Sequence, residues 1–556
     1  MGSNQFWIVT VLALLLAAGL GFANIERVRN LGKDLDPPEG MDRTPPIWIV
    51  DAIPAALSSQ LFESPADYTA LRAVRDRFYA DLKDQFRNSN SVDHAIAAVR
   101  SLDRAAISRE TVLLGGDDKG IVDFIKISFH CFGYSSRTII YLYFLLLYTS
   151  VFLAIISFQR VISTVLVAEF FLAAHYLFLP AVFYDLQLQS VLALRFLPVL
   201  SLIATWHCLL FIQRAQWTVG RCIAVLAQVC LLLFVIHLRS VAIWEAWLIV
   251  LFGVAKAGVG YFKRPSDGGI ASSRQAVLFP VMAILAGLIA LNLYHRTAYN
   301  EAYRRGDQIA TRPFWHNILS GFAFNPVLAR EYELKVDDFS ELKAVHRFLA
   351  SRGRESEWKA MGGDSPGFSR IRWVDCDPAE GELLRSIVYR HPGEVMLTAL
   401  YYKPKSFLKH IAWLYGFRHQ LPDVGVFVSP DVGEGMANDM GWLQARLNAL
   451  GLRFVLWDRI AVATLLACVL LFILARGMIS DIDWLPLGVL AVGSMIPVFV
   501  GYPSMLTIAE SAIVLPTALY TVVAAVLGDA FAAAAKCLFS RGLSGAPNKA
   551  GRSAAG

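Results

Sequence analysis

The sequence predicts an all-α polytopic membrane protein with about ten transmembrane helices and two extracytoplasmic regions, the first helical and the second mixed α/irregular. Three observations support this fold class. The 556 residues are 56% hydrophobic and only 17% charged, which is too apolar for a soluble globular chain. Apolar runs of about 20 residues recur along the chain. Two long polar stretches interrupt these runs, and each is long enough to fold as a small unit.

Ten apolar runs qualify as candidate spans. They cover residues 6–23, 138–158, 161–183, 189–213, 219–237, 241–262, 275–294, 457–475, 484–501 and 508–528. The predicted organisation is a first transmembrane helix (1–23), an extracytoplasmic helical region (24–136), a six-helix transmembrane block (137–295), an extracytoplasmic domain (296–455), a three-helix transmembrane block (456–530) and a basic cytoplasmic tail (531–556).

The Lys and Arg residues of the short connections predict the orientation in the plasma (inner) membrane. One set of helix ends and the tail carry eleven of them: Arg160, Arg214, Arg221, Lys263, Arg264, Arg274, Arg476, Lys536, Arg541, Lys549 and Arg552. The other set of ends carries Arg239 alone. Both termini are therefore expected in the cytoplasm, and both polar regions outside. The net charge of +6 mostly reflects these anchors, so it does not indicate a nucleic-acid partner.

The first span is interpreted as a retained helix. The five residues before it contain no Lys or Arg, unlike the start of a signal peptide. Cleavage before Asn24 would leave nine spans in the same orientations. The seven cysteines form no CxxC motif and no Cys/His metal spacing, so no metal site is indicated. The chain also has no Walker or GxGxxG phosphate loop, which argues against a nucleotide-fuelled mechanism.

The first polar region is predicted to be helical. Ser64 and Pro65 are expected to open a helix that runs to about Arg87, and Ser91 to open another that runs toward Arg109. The prolines before residue 55 predict irregular structure there: Pro37, Pro38, Pro45, Pro46 and Pro54. This region would deliver the acidic loop of residues 115–119 to the membrane, or it is simply a linker.

An amphipathic helix is predicted directly after the acidic loop, lying in the membrane interface. Its apolar residues recur at helical spacing: Ile121, Phe124, Ile125, Phe129 and Phe132. Asp123, Lys126 and His130 form the opposite stripe, and Gly133 is a natural stop signal. The adjacent carboxylates of the loop, Asp117 and Asp118, are therefore expected close to the lipid.

Polar residues near the outer ends of the spans indicate an outward-opening polar cavity among the helices. They are Arg195, Glu245 and Glu510, joined by His237 and Arg239 in an outer loop. Arg can hold a phosphate, and Glu can orient a sugar hydroxyl. Glu169, His175 and Lys256 lie deeper. Snorkelling or pairing between helices is the alternative interpretation for each of these residues.

The second polar region contains two candidate binding stretches. Arg312, Trp315, His316 and Asn317 combine a cation, a stacking ring, a titratable ring and an amide within six residues, a composition suited to a saccharide or a sugar phosphate. A basic and aromatic segment follows from Tyr401, where Lys403 and Lys405 could meet lipid phosphates. The alternatives are an ordinary interfacial histidine and plain anchoring to lipid headgroups.

The topology and the segment from Asp117 to Phe144 resemble the GT-C superfamily of polyprenyl-phosphate-sugar-dependent glycosyltransferases. The shared features are an inward N-terminus, one span, an outward acidic loop (Asp-Asp-Lys-Gly, residues 117–120), an interfacial helix that ends near a glycine, and many further spans.

This resemblance implies inverting transfer of a sugar from a polyprenyl-phosphate donor to a glycan, lipid or protein acceptor of the cell envelope. A carboxylate takes the proton of the acceptor hydroxyl, and cations hold the leaving phosphate. Asp117 is the expected base and Asp118 the second catalytic candidate. The substrate-binding candidates are Lys119, Arg195, Glu245, Arg312, Trp315, His316, Asn317, Lys403 and Lys405. No cofactor is indicated, and a requirement for a divalent cation stays open.

Two other function classes fit the composition. A transporter or flippase for a lipid-linked or envelope component would also need polar groups inside the membrane, although paired broken spans and repeat symmetry, which are typical of transporters, are not evident. A non-catalytic envelope assembly protein would use the two polar regions as docking surfaces.

Overall fold

The computed structural model describes residues 3–31, 52–63, 69–84, 91–113, 120–158, 162–187, 197–214, 216–262, 270–299, 314–335, 340–365, 371–407, 459–475, 483–501 and 509–544. Helices make up nearly all of these residues. The first part of the chain forms α1 (Ser3–Leu31), α2 (Ala52–Phe62), β1 (Thr69–Leu71), α3 (Arg72–Asp84), α4 (Ser91–Arg100), β2 (Thr111–Leu113), α5 (Gly120–Phe132), α6 (Ser136–Ser157), α7 (Ile162–Gln187), α8 (Leu202–Arg214), α9 (Val219–Leu238), α10 (Ile243–Phe262) and α11 (Ile270–Ala298). The rest forms α12 (Phe314–Ser320), α13 (Pro326–Tyr332), α14 (Ser340–Ser351), α15 (Glu355–Ala360), α16 (Trp373–Arg390), α17 (Pro392–Leu397), α18 (Arg459–Ala475), α19 (Trp484–Gly493), α20 (Ile496–Val500) and α21 (Ala509–Ser544).

Seven described helical stretches are long and apolar enough to cross a membrane, so the expectation of a multi-pass helical membrane protein is confirmed. They are Ile8–Glu26, Ser136–Ser157, Leu197–Arg214, Val219–Leu238, Ser240–Gly258, Gln275–Ala298 and Ala509–Ala534. The other three predicted spans coincide with α7, α18 and the pair α19–α20, whose described apolar stretches are shorter. The count of ten and the sidedness therefore stay predictions.

The pair α19–α20 is a single predicted span that is broken in the middle. Pro497 follows the break by a few residues. A proline ring clashes with the carbonyl group four residues earlier and cannot donate a backbone hydrogen bond, which explains why the helix is interrupted near Gly493. A Cβ atom at Gly493 would lie 2.6 Å from the Leu248 side chain, so the broken helix also packs closely on α10.

The first polar region contains more regular structure than its prolines suggest, and three expectations are wrong. Pro54 lies inside the buried helix α2, in the first turn, where a missing backbone N–H costs nothing. Strand β1 precedes α3 and pairs antiparallel with β2, so the region is not purely helical. All three residues of β1 are buried. This burial, and not a pattern in the local sequence, decides that they form a strand. Helix α4 ends at Arg100, before the strand, instead of continuing toward Arg109.

The amphipathic helix predicted after the acidic loop is α5, and its periodicity predicts the buried face well. Ile121, Phe124, Ile125 and Phe129 are buried, whereas Phe132 is 42% exposed at the end of the helix. Gly133 follows with a φ of 91°, a left-handed conformation that favours glycine. The buried face packs against α2, α6 and α9, so α5 is fixed to the bundle.

The described part of the second polar region is a small helical unit built from α12 to α17. Its apolar core includes Leu319, Leu342, Val345, Leu349, Leu383 and Ile387. Asn325 caps α13 by accepting hydrogen bonds from the backbone of Val327 and Leu328. Its amide group also donates to Glu394 and Thr398, which ties α13 to the segment that leads toward Lys403.

Candidate functional site

The first described residue after the acidic loop, Gly120, lies at a close contact between two helix ends. Gly120, the first residue of α5, lies against the backbone of His237 at the end of α9, where a Cβ atom would be 2.2 Å from the His237 carbonyl oxygen. Only glycine fits there. Asp117, Asp118 and Lys119 lie outside the described residues, so their predicted roles stay predictions. The chain nevertheless continues from this loop directly into a contact with His237.

A chain of titratable side chains starts one helical turn after Gly120. The Asp123 carboxylate lies 2.9 Å from Nε2 of His237, and Nδ1 of His237 lies 2.9 Å from Nε2 of His295. The Tyr294 hydroxyl donates to the same Asp123 oxygen at 3.1 Å, and the Lys126 ammonium approaches the other oxygen at 3.3 Å. We call Asp123, His237 and His295 the Asp–His–His chain; it joins α5, α9 and α11.

The exposure of this chain changes along its length. His237 is 7% exposed, and the side chain of Asp123 is 15% exposed. His295 is half-buried, and its ring stacks on Tyr299 with 4.7 Å between the ring centroids. The chain therefore runs from a shielded carboxylate to a half-buried imidazole. This is the arrangement of a base that a second and a third group orient.

A second polar cluster lies at the same end of the bundle and includes Arg239, two residues after His237. Glu245 is fully buried and accepts hydrogen bonds from Ser201 at 2.9 Å and from Thr205. Glu245 also interacts electrostatically with Glu510 at the start of α21. Glu245, Glu510 and Arg239 thus lie close together; Arg195 lies outside the described residues, and the outward-opening cavity stays a prediction.

The partners of Glu510 differ from those of Glu245. Both oxygens of Glu510 are buried without a hydrogen bond of normal geometry among the described residues, although the Trp244 indole and the Arg239 guanidinium lie beside its carboxyl group. Arg239 is only 5% exposed. One guanidinium does not keep two buried carboxyl groups ionised in a low-dielectric setting, because like charges there repel strongly. The cluster can therefore hold a proton.

The second polar region reaches the bundle through Lys403 and Gly321, which contact the end of α20, whereas His316 and Trp315 lie within the region's own helical unit. His316 is 4% exposed, and its Nδ1 lies 2.8 Å from a carboxylate oxygen of the fully buried Glu380. Trp315 packs its indole on Gly381 and donates its backbone N–H to Asp377. This burial favours the interpretation of His316 as a structural histidine. Arg312 lies outside the described residues, and the binding role of Asn317, the next residue of α12, stays a prediction.

A buried acid accompanies the His316–Glu380 pair. Burial raises the pKa of Glu341 to about 7, and the nearby His316 and the Ser320 and Ser340 hydroxyl groups offset part of this effect. A carboxyl group with such a pKa titrates near neutral pH. This makes the core of the second polar region sensitive to pH.

The two lysines proposed for lipid phosphates have different environments. Lys403 is 3% exposed, and its ammonium donates to the carbonyl oxygens of Phe499 at 3.0 Å and Gly501 at 2.6 Å. Burial lowers its pKa to about 8. Lys405 instead lies over the Tyr401 ring, 5.6 Å from its centroid. Lys403 therefore caps the end of α20, and Lys405 is the more accessible of the two.

Three polar residues lie deeper among the membrane helices. His175 bonds to Tyr143 at 2.8 Å and to Asn24 at 3.1 Å, and Lys256 donates to Gln213 at 3.0 Å. Pairing between helices explains both. Glu169 differs, since it is fully buried and neither carboxyl oxygen has a hydrogen-bond partner among the described residues.

The Asp–His–His chain is not predicted as a unit by the sequence. The pattern places Asp123 in the polar stripe of α5 and His237 in an outer loop, and it does not single out His295. The signal that points to the chain is the position of both histidines near the predicted outer ends of two spans. Their mutual contact depends on helix packing, which spacing within one helix does not show.

No group of three His, Cys, Asp or Glu side chains in the described part of the chain has the geometry of a metal site. The linear arrangement of the Asp–His–His chain agrees with this, because its members bond to one another and do not point at a common centre. No protein-family model, curated protein or solved structure matches the chain.

Proposed function

We propose that the protein is a GT-C-like glycosyltransferase that moves a sugar from a polyprenyl-phosphate donor to an envelope acceptor at the outer face of the membrane. One observation carries this proposal: the chain continues from the acidic loop into α5, where Asp123 bonds to His237, and Arg239 of the Glu245–Glu510–Arg239 cluster follows His237 by two residues. Acid–base groups, a cation and sugar-binding carboxyl groups are the parts that the transfer needs.

The reaction requires a base, a phosphate site and a sugar site. In this proposal a base takes the proton of the acceptor hydroxyl while the hydroxyl oxygen attacks the anomeric carbon, and Asp117 and Asp118 are the first candidates for that base. The bond from that carbon to the lipid phosphate breaks, and the phosphate leaves with the electron pair. Arg239, Arg195 and Arg312 are the cations proposed for the phosphate, and the Glu245–Glu510 cluster is proposed to hold sugar hydroxyl groups.

The test replaces the gene in the producing cell by the Asp117→Asn variant, the Asp118→Asn variant or both. Asparagine keeps the size of the side chain but cannot accept the proton, and loss of a general base typically lowers a rate by about 100- to 10,000-fold. Blocked transfer should make a polyprenyl-phosphate sugar accumulate. Mass spectrometry of the extracted lipids detects this species whichever sugar it carries.

Asp76→Asn is the matched control, since Asp76 is an exposed carboxylate of α3 in the same polar region. It should leave the lipid profile as in the wild type. If the double variant is expressed at the normal level and no lipid-linked sugar accumulates, the acidic loop does not supply the base. If the wild-type protein also fails to bind undecaprenyl phosphate in native mass spectrometry, the donor class is wrong as well.

A transporter is the second candidate, and Glu169 is the observation that favours it. An acid that is fully buried among membrane helices, with no hydrogen-bond partner among the described residues, is costly. It lies near Cys468, where α7 packs against α18. Intramembrane carboxyl groups of this kind carry protons in many pumps and transporters. The broken pair α19–α20 is also a feature of transporter folds.

Proteoliposomes that contain a pH-sensitive dye separate the two candidates. A proton-coupled transporter should acidify or alkalinise the lumen when an envelope-lipid gradient is imposed, and Glu169→Gln should abolish the response. Absence of proton flux in the wild-type protein would leave Glu169 as a neutral acid of the helix packing, and the transferase proposal would stand alone.

A further inference from the structure

We propose that His295, and not a carboxylate of the acidic loop, is the base that accepts the proton of the acceptor hydroxyl, and that Asp123 and His237 orient its ring. This inference rests on the proposed transfer reaction. It assigns the proton to a particular atom, Nδ1 of His295, and it makes the Asp–His–His chain a catalytic unit assembled from α5, α9 and α11.

The hydrogen-bond roles follow from the chemistry of the first group in the chain. An ionised carboxylate only accepts hydrogen bonds, so Nε2 of His237 carries the proton shared with Asp123 across 2.9 Å. A neutral imidazole has one donor and one acceptor nitrogen. Nδ1 of His237 therefore accepts the proton of Nε2 of His295 across 2.9 Å. The remaining nitrogen of His295, Nδ1, is left with a free lone pair.

The surroundings of His295 suit a base that meets a substrate. Its ring is half-buried, and the bond to His237 together with the stack on Tyr299 holds it in one orientation. No described residue forms a hydrogen bond with Nδ1 of His295. A base that is fixed at two points and open at its third is organised before the substrate arrives, which lowers the reorganisation that the reaction requires.

Asp123 offsets part of the cost of the positive charge that forms on His295. When Nδ1 takes the proton, the positive imidazolium faces His237 and, through it, the negative Asp123. The Lys126 ammonium from α5 and the Tyr294 hydroxyl from α11 also face the chain, and both contact Asp123. Asp123 is thus held as an anion, and its role is to position and polarise and not to take the proton itself.

The step balances without a metal or a redox partner. The acceptor O–H bond breaks and its proton moves to Nδ1 of His295, while the oxygen forms a bond to the anomeric carbon. The carbon–oxygen bond to the lipid phosphate breaks, and the phosphate leaves as an anion with the electron pair. Release of the proton from His295 to water restores the neutral ring.

A chemical-modification experiment tests the chain in the absence of any substrate. Diethyl pyrocarbonate reacts with the free lone pair of neutral histidine, and peptide mass spectrometry gives the rate at each histidine. In the full-length protein in lipid nanodiscs, His295 should react and His237 should be protected. Asp123→Asn should slow the reaction of His295 with diethyl pyrocarbonate by at least about threefold. The His295 ring becomes less basic and less nucleophilic when the negative charge that acts on it through His237 is lost.

His130 is the internal control, since it is an exposed histidine of α5 outside the chain. Its rate should be the same in the wild-type and Asp123→Asn proteins. Equal rates for His295 in the two proteins, or an unreactive His295 beside a reactive His130, would overturn the proposed hydrogen-bond roles and with them the proposal.

The second arm measures transfer with His295→Gln and the matched control His130→Gln. Glutamine keeps an N–H donor for His237, so the helix packing should survive, but it cannot accept a proton. His295→Gln should lower kcat by about 100-fold or more with KM little changed, and it should remove the acidic limb of the pH profile. His130→Gln should behave as the wild type.

The outcomes separate this inference from the proposed function. Lipid-linked sugar that accumulates with His295→Gln, and not with the Asp117 and Asp118 variants, supports the inference. Accumulation with the aspartate variants and normal transfer with His295→Gln would overturn it and leave the proposed function standing. Normal lipid profiles for all three variants would remove the transfer reaction, and the role of His295 would fall with it.

Discussion

Two regions of the molecule contain a histidine paired with a carboxylate, and the pairs differ in what lies beyond them. His237 lies 2.9 Å from Asp123 at the end of the membrane bundle, and His316 lies 2.8 Å from Glu380 in the second polar region. Both histidines are at least nine-tenths buried. The pairs are thus alike in distance and burial, so neither property distinguishes a functional pair from a structural one.

The pairs differ in whether hydrogen bonds continue from the histidine toward the surface. The second nitrogen of His237 bonds to the half-buried His295, whereas the His316 ring is closed in by the edge of Trp373 at 5.1 Å between centroids and by the apolar core around Leu319 and Leu383. A proton can leave the first pair through a second imidazole. In the second pair the same chemistry serves the packing of a small helical unit, which is why we assign function to the first.

The largest expected effect is on the rate of the proposed sugar transfer, and it comes from a change in the first pair, Asp123 and His237. Asp123→Asn should lower the transfer rate by about 100-fold or more, because asparagine can donate to Nε2 of His237 and so favours the wrong tautomer along the chain. The thermal midpoint of the purified protein should change little. Lipid mass spectrometry measures the first quantity and scanning fluorimetry the second. Glu380→Gln, the matched change in the second pair, should leave transfer unchanged, and loss of transfer there would break the comparison.

The next effect is on stability and belongs to the second pair. His316→Ala leaves the fully buried carboxylate of Glu380 without its partner, and breaking a buried pair in this way typically costs about 3–5 kcal/mol. Limited proteolysis should then cut the segment between residues 314 and 407 under conditions in which the wild type resists. A resistant His316→Ala protein would show that the pair contributes little to folding.

The third effect is a dependence of stability on pH in the second polar region. Burial raises the pKa of Glu341 to about 7, above its value of 4.5 in the unfolded chain. The folded state therefore binds more protons than the unfolded state between these values, and stability falls as the pH rises from 4.5 to about 7. The full change is roughly 3 kcal/mol.

Unfolding by urea at several pH values measures this slope. Glu341→Gln should flatten it, because the amide does not titrate, whereas Glu355→Gln, a change at an exposed residue of α15, should keep it. An equal slope in the Glu341→Gln protein would assign the pH dependence to another group of the region.

Much of the fold is predictable from local patterns, and the interfacial helix shows why. The spacing from Ile121 to Phe129 reports the buried face of α5 because one helix face repeats every three to four residues, and Gly133 marks the end. The local pattern fails at Pro54 and strand β1 because tertiary burial decides their structure. A proline in a first turn and a three-residue buried strand leave almost no periodic signal.

The candidate site is predictable only in part. The position of Glu245, Glu510 and Arg239 near the ends of spans predicts a common polar cluster, since ionisable residues in spans tend to face one another. The bond between His237 and His295 joins residues 58 positions apart on two helices. It depends on the rotation of each helix about its axis, which a single sequence does not contain.

The smallest expected effect distinguishes two neighbouring lysines. Lys403→Met removes the cap on the Phe499 and Gly501 carbonyl groups and should cost about 1–3 kcal/mol, since these acceptors are left buried and unpaired. Lys405→Met loses only a contact with the Tyr401 ring and should cost at most about 1 kcal/mol. Thermal unfolding in nanodiscs measures both.

The proposed phosphate role predicts the opposite order for donor affinity: Lys405→Met should weaken binding of undecaprenyl phosphate, because the Lys405 ammonium is accessible, while Lys403→Met should not. If Lys403→Met weakens the binding of undecaprenyl phosphate and leaves the unfolding midpoint unchanged, Lys403 releases α20 to bind phosphate. The cap would then be one of two states of the end of the bundle.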